Sequence, residues 1–503
     1  MEQQHAYRPD SSFDGGDLDC GSGLLLLIRR HIDPLASGQT LEIISTDNTV
    51  EVDLPAWCRM TNNELLSLER RASGQNSFLV RKGALAGRSL KAAVLSATIP
   101  ATPAAERAAI EAPPIRPLSV MGIGSWPRPR WMLRAVHDRM AGRMPEDEFQ
   151  AIADDAVSQA VDAQLRAGAD VLTDGEQRRD SYASFVGGIL ENCQLIPLTD
   201  LLPYVDDPVK FEKELRALDI PAHEVRHPAV FGRIARIKPL AVHELEYVGT
   251  LSDQPVKIAL PGPYLLTRTM WMECLSDRAY ASREALAEDI VRIMREELAD
   301  LLRGGAALVQ FDEPVLSEVV FSRTKEGSGG RSFMCGALGE KKPIAEELAF
   351  ARDLINAVVA GFPRERLAMH VCRGNWTPDE SVAMAGDYRP LLDHFKQIRV
   401  GTFMLELATP RAGEIEVLRE LPDDCRIGVG VINQKLEQTE DIDTVIARAE
   451  AAIALFGAER VLLNPDCGFA TFADNPLASS RLAEAKLQVI ATAAARLRDK
   501  CGI

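Results

Sequence analysis

Three short stretches of the chain carry residue types able to hold a soft metal ion. They are His370-Val371-Cys372 in RLAMHVCRGNW, Glu406 in TFMLELATPR and Cys467 in LLNPDCGF. In an extended strand, side chains at i and i+2 point to the same side. His370 and Cys372 therefore reach one point in space if LAMHVC is a strand. One imidazole, two thiolates and a carboxylate make a tetrahedral zinc set, with sulfur favouring zinc over magnesium or calcium. Zinc also lowers the pKa of a thiol that joins it, so a thiolate nucleophile exists at neutral pH. Taken singly, Cys372 and Cys467 read as small core residues and His370 as a satisfied histidine. Each of the three segments, however, is a short apolar run ending in a polar residue, which favours the metal.

Positioning such a set needs a rigid frame, and the second part of the chain supplies a repeating one. From about residue 117, strand-like runs alternate with helical stretches. The runs are LSVMGIGSW, ADVLTDGE, VKIALPGP, ALVQFDEP, LAMHVC, TFMLELA, RIGVGVI and RVLLNPDC. Each is nearly continuous in apolar residues, as expected of parallel strands buried on both faces. Helices are expected at Asp154 to Ala167, Ser282 to Arg303, Ile344 to Val359 and Asp441 to Leu455. Eight such units predict a TIM (β/α)8 barrel, with residues 177–250 as an insertion whose RHPAVFGRIARI segment reads as a hairpin or lid piece. Ser125, Glu176, Asp312, His370, Cys372, Glu406 and Cys467 all fall at or just past the C-terminal end of a strand. That is the face on which barrel active sites are built.

The first part of the chain reads differently. Residues 1–12 are expected to be disordered, and 13–83 to form a small α/β two-layer sandwich of helices on a sheet. Its strands are SFDGGDLDC, QTLEIIST and NSFLVRKG, with helices from Leu24 to Pro34 and over VDLPAWCRMTNNELLSLER. Cys58 falls within an apolar helix and is expected in the core. Residues 84–116, rich in Ala and Pro, read as a linker before a barrel domain at 117–503.

The net charge of −16 argues against nucleic acid or an anionic membrane as partner. Nine cysteines, odd in number and scattered, imply a reducing cytoplasm rather than a disulfide framework. The polar start MEQQHAYRPDSSFDGG lacks the features of a signal peptide, and GLLLLI is too short to span a bilayer.

The barrel motifs GIGSWPR, DVLTDGEQRRD, ALPGPYLLTR, VQFDEPVLSE, HVCRGN, LELATPRAGE and LNPDCGFATF resemble the C-terminal catalytic barrel of the cobalamin-independent methionine synthases, over about 117–495. The resemblance implies zinc held by His370, Cys372, Glu406 and Cys467, the set the spacing suggests. It also implies a substrate amino acid held by Ser125, Glu176 and Asp312, whose carboxylates take an ammonium by charge-assisted bonds. Where that family carries a histidine acid after the seventh strand, this chain has Asn433, placed here among the substrate-facing residues. An amide cannot protonate a folate leaving nitrogen near neutral pH, so a donor other than folate is expected.

LDCGSGLLLLIRR, GQTLEIIS, LPAWCRMTNNELLSLE and FLVRKG resemble the TusA-type sulfur carriers, over about 13–83. That family carries a persulfide on a cysteine at the start of its first helix, which here is Cys20. A helix N-terminus lowers a thiol's pKa and holds such an anion. In place of the usual Cys-Pro-x-Pro the chain has Cys20-Gly21-Ser22-Gly23.

The leading expectation is thus a zinc-dependent enzyme that methylates or alkylates a thiol, with a methyl-corrinoid protein or another small donor. A second is sulfur insertion, in which a Cys20 persulfide, loaded by a cysteine desulfurase or sulfur-relay protein, makes a new thiol on a carbon electrophile. A tether of about thirty residues would raise the local sulfur concentration. A third is a zinc or sulfur-relay scaffold without catalysis. Glu406 is the ligand expected to yield most readily to an incoming thiolate.

Overall fold

The computed structural model describes residues 5, 8–18, 24–61, 63–71, 74–83, 110–197, 226–272, 276, 279–321, 342–375, 378, 380, 383–473 and 476–503. Cys20 and most of the 84–116 segment lie outside them. The chain divides into two compact units, one built mainly from residues 1–108 and the other from 109 onward, with 196–204 grouped with the first.

The first unit alternates β1 (Ser11–Asp14), α1 (Leu24–Ile32), β2 (Thr40–Ser45), α2 (Val50–Met60), β3 (Glu64–Arg70) and β4 (Asn76–Arg81). Its four-stranded sheet has the order β1-β2-β4-β3, with β1 parallel to β2 and the other pairs antiparallel. Leu24, Ile28 and Ile32, one helical turn apart, pack with Leu41, Phe78 and Val80 from alternate strand positions. Cys58 is buried in that core. β1 begins inside the segment expected to be disordered, and the Asp10 amide donates to the Thr40 carbonyl at 3.0 Å.

One sequence expectation fails here. The run from Val52 to Arg70 is not one helix, because α2 ends at Met60 and ELLSLER is strand β3. The Thr61 amide closes onto the Trp57 carbonyl and stops the helix. In β3 a bulge between Leu65 and Ser67 pairs Leu65 with Val80 and Leu68 with Phe78. The bulge thus puts two leucines three apart onto the core face, a spacing that imitates a helix.

In the second unit, β7 (Lys257–Pro261), β8 (Leu308–Asp312), β9 (Leu367–Val371), β10 (Thr402–Leu405), β11 (Arg426–Ile432) and β12 (Val461–Pro465) form a parallel sheet in sequence order. Two shorter arms close the ring. Val120 bridges to Leu463, Met121 to Val171, and Leu172 to Val256, all parallel. The eight arms are the eight predicted runs, so the unit is a (β/α)8 barrel. Met121, Val171, Leu308, Ala368, Met404 and Leu462 pack together in one buried cluster.

The outer helices match their expected positions closely. Ser282 caps the helix Arg283–Arg303 by accepting from the Ala285 amide, and Asp441 caps Ile442–Phe456 in the same way. Glu146–Ala167 starts ahead of the expected Asp154, because Glu146, Asp147 and Glu148 favour the positive end of a helix. Within the insertion, RHPAVFGRIAR is strand β6 (Arg226–Arg236), paired with β5 (Leu190–Pro197). Among the described residues no helix is long and apolar enough to cross a membrane.

Candidate metal centre and ligand pocket

His370 lies near the end of β9, and Cys372 follows just beyond that strand. Across the sheet His370 faces Met404 on one side and Asp312 on the other. Its Nδ1 lies 3.0 Å from the Met404 carbonyl. A carbonyl only accepts, so Nδ1 carries a proton and Nε2 is the ring atom left for a metal. Nε2 is buried and has no hydrogen-bond partner of its own among the described residues. Cys467 arrives from the loop after β12, and the donor atoms of His370, Cys372 and Cys467 all lie within 4.8 Å of one another. All three residues are buried.

The two sulfurs titrate as a pair. A hydrogen bond from Cys467 holds the Cys372 thiol well below its ordinary range, and His370 adds to this. The same bond, with burial, holds Cys467 well above. Two sulfurs of unlike proton affinity beside an imidazole oriented through its Nδ1 make a donor set suited to zinc.

Asp466 anchors the loop that carries Cys467. Its amide donates to the Ile432 carbonyl at 2.9 Å, and its Oδ1 accepts from the amides of Leu407 and Ala408, both at 2.9 Å. Only glycine fits beneath it, since a Cβ on Gly430 would lie 2.0 Å from Asp466 Oδ1. The loops after β10, β11 and β12 are thereby tied together.

Glu406 is fully buried at this rim but is not one of the three converging donors. Its carboxylate accepts from the Arg373 amide at 3.0 Å and Asn375 Nδ2 at 2.5 Å, and it pairs with Arg411 at 2.6 Å. Oε1 pairs with Arg411 but has no hydrogen-bond partner among the described residues, so coordination by Glu406 would compete with that ion pair.

Beside the three donors is a pocket lined among others by Ser125, Glu176, Asp312, His370, Cys372 and Cys467. Six residues expected at the site thus share one wall. Glu176 follows Gly175 in a turn where both have positive φ, 71° and 54°. A glutamate in the left-handed region is strained, and such strain concentrates at functional sites. Arg128 clamps the turn by donating to the carbonyls of Glu176, Gln177 and Arg179. Burial pushes the Glu176 carboxyl up to about 7, with Asp312 adding to the shift and Arg179 opposing it. Asp312 is likewise raised by burial.

The Ser125 hydroxyl accepts from the Ala470 amide at 3.2 Å, and a Cβ on Gly468 would lie 2.2 Å from that oxygen. Gly468→Ala is expected to push the hydroxyl aside and weaken substrate binding by about tenfold, the worth of one hydrogen bond. Calorimetric titration checks this, with an unchanged melting curve as control.

Asn433 is not among the residues lining the cavity. Its Nδ2 donates to Glu380 at 2.5 Å and its Oδ1 accepts from the Lys435 amide at 2.9 Å, so the amide is already occupied. Sequence reasoning passed over Tyr182, Asn375 and Thr471, which line the cavity, and Arg411, which holds Glu406. Tyr182 falls in the insertion, and the others have no periodicity or spacing to mark them. Asp466 was findable by its place between a strand end and Cys467.

A (β/α)8 barrel that gathers an imidazole, two thiols and two buried carboxyls at its C-terminal rim has the frame of a barrel enzyme. Residues 118–197, 214–331 and 363–494 match the family described as cobalamin-independent synthase, catalytic domain, and the chain belongs to that family. Residues 23–82 match the sulfurtransferase TusA family, a span that begins after Cys20. The chain is 26% identical over 359 residues to the methionine synthase of Saccharolobus solfataricus, covering 71% of this chain and 88% of the relative. It is 27% identical over 359 residues to that of Thermococcus kodakarensis, covering 71% and 87%. A B12-independent methionine synthase from a Shewanella species, solved with selenomethionine, superposes with a TM-score of 0.57 at 19% identity, covering 76% of this chain and 98% of that one.

Proposed function

We propose that the barrel transfers a methyl or other alkyl group to the thiol of a small amino acid, with zinc as its resident metal. The observation that carries this reading is the convergence of a His370 ring nitrogen with the sulfurs of Cys372 and Cys467, facing a pocket that two carboxyls share. Zinc bound there would supply a Lewis acid that keeps an arriving thiol ionised at neutral pH.

His370, Cys372 and Cys467 would hold the ion, with Glu406 as fourth ligand once it leaves Arg411. Glu176 and Asp312 bind the substrate ammonium, and Ser125 fixes the backbone end of the same molecule. Asn433 offers no proton to a leaving group, which favours a donor whose departing fragment needs none, such as a methyl-corrinoid.

The test is made on purified protein, with bound zinc quantified and L-homocysteine supplied as acceptor. Methylcobalamin and methyltetrahydrofolate are compared as donors. Stoichiometric zinc and methionine formed from methylcobalamin alone is the expected result. A zinc-loaded protein that alkylates homocysteine with neither donor would sink the reading.

A second reading rests on the TusA match. There Cys20 would take a persulfide from a cysteine desulfurase and deliver sulfur to the barrel. Incubation with desulfurase and cysteine should then add one sulfur atom of mass, and Cys20→Ala should lose it. Under simple thiol alkylation that substitution is silent.

A further inference from the structure

The barrel interior contains a buried cation outside the metal centre. Lys257, on β7, is fully buried, as is Gln310 on β8. Lys257 Nζ donates to the Gly122 carbonyl at 2.6 Å and to Gln310 Oε1 at 2.7 Å. Gln310 Nε2 then donates to Asp312 Oδ1 at 2.7 Å. Gln310 and Asp312 are two residues apart on one strand, so both point to the same side, and Asp312 lines the ligand cavity.

A glutamine amide can sit either way round, and hydrogen bonding decides which. Here the ammonium decides it. Turning the Gln310 amide over would set an NH2 against the Lys257 NH3+ and a carbonyl against the Asp312 carboxylate. Both contacts would be repulsive in a site sheltered from water, where such clashes are costly. Lys257 therefore forces Gln310 to present a donor to Asp312. One carboxylate oxygen is then occupied and the other is left for the cavity. Burial draws the Lys257 ammonium down to about 7, while Asp312 and Glu176 act to keep it charged.

We propose that Lys257 is a positioning residue that acts through Gln310 to orient Asp312 as the acceptor for a primary ammonium group on the substrate. This rests on the reading of the cavity given above. Neither Lys257 nor Gln310 lines the cavity, so their effect on a ligand must pass through Asp312.

The probes are L-homocysteine and its amine-free analogue 4-mercaptobutanoate, bound to zinc-loaded protein and followed by calorimetry. Wild type is expected to prefer the amine-bearing thiol by tenfold or more. Lys257→Met should remove most of that preference while leaving zinc content and affinity for 4-mercaptobutanoate unchanged. Because Lys257→Met strands a buried amide, the double variant Lys257→Met/Gln310→Met, which replaces the pair by apolar groups, provides a folded comparison and should show the same loss. A wild-type protein without preference sinks the reading of the cavity and the relay with it. A wild type that prefers the amine, with variants that keep the preference or weaken both thiols equally, overturns the relay alone.

Discussion

Cys467→Ser is expected to empty the metal site and remove turnover. Changes to groups that only orient a metal ligand typically cost about 10–100-fold in metal affinity, so loss of a ligand should exceed that. Serine is a poor substitute, because its hydroxyl does not ionise near neutral pH and offers a hard oxygen where zinc prefers soft sulfur. The same change breaks the proton sharing that holds Cys372 low, so Cys372 should lose nucleophilic character as well. Metal analysis after dialysis checks the prediction, with circular dichroism to confirm the fold. Full zinc retention in Cys467→Ser would remove the metal assignment made here. Glu406→Gln makes a useful contrast: since Arg411 and Asn375 already engage that carboxylate, the variant should keep much of its zinc while losing activity.

Glu176→Gln is expected to make the protein more stable and less able to bind substrate. The carboxyl rises from 4.5 to about 7 on folding, because burial disfavours its charge. An acid whose folded pKa is raised binds its proton more tightly in the native state. Native stability therefore falls as pH climbs from 4.5 to about 7, and the whole cost is present above that. Two and a half pKa units correspond to about 3 kcal/mol. Gln removes that cost but leaves an amide to satisfy, at about 1 kcal/mol, for a net gain of about 2 kcal/mol at pH 8. Below pH 4.5 the gain should turn into a loss of about 1 kcal/mol, the cost of the amide alone. Urea unfolding at the two pH values measures it, and a gain independent of pH would show that Glu176 is not a buried ionised group. Binding moves the other way, since a neutral amide cannot pair with an ammonium. Above pH 7 affinity for homocysteine should fall by one to two orders of magnitude, about 2 kcal/mol for a charge-assisted bond.

Much of this protein was legible before any coordinates. The eight runs of continuous apolar residues could be read as buried parallel strands because burial on both faces removes the alternation of a half-exposed sheet. His370 and Cys372 were predictable partners because the two-residue period of a strand is local geometry. The helix starts expected at Ser282 and Asp441 were equally local. β3 was misread because a bulge, which only the pairing with β4 reveals, gave its leucines helical spacing. The placement of Glu406 was also beyond reach, since Arg411 and Asn375 approach it from other loops of the rim.

The sequence by itself determined the barrel class, the order of its strands and the three residues that converge at its rim, all consequences of short-range periodicity and residue chemistry. Only the tertiary structure decided which of them meet and in what state. Ring closure through residues 120, 171 and 256 brings Cys467 to His370 and Cys372. Burial beneath that rim raises Glu176 and leaves Lys257, Gln310 and Asp312 in one chain of hydrogen bonds. Desolvation and hydrogen-bond direction depend on everything packed around a group, and no stretch of sequence contains that.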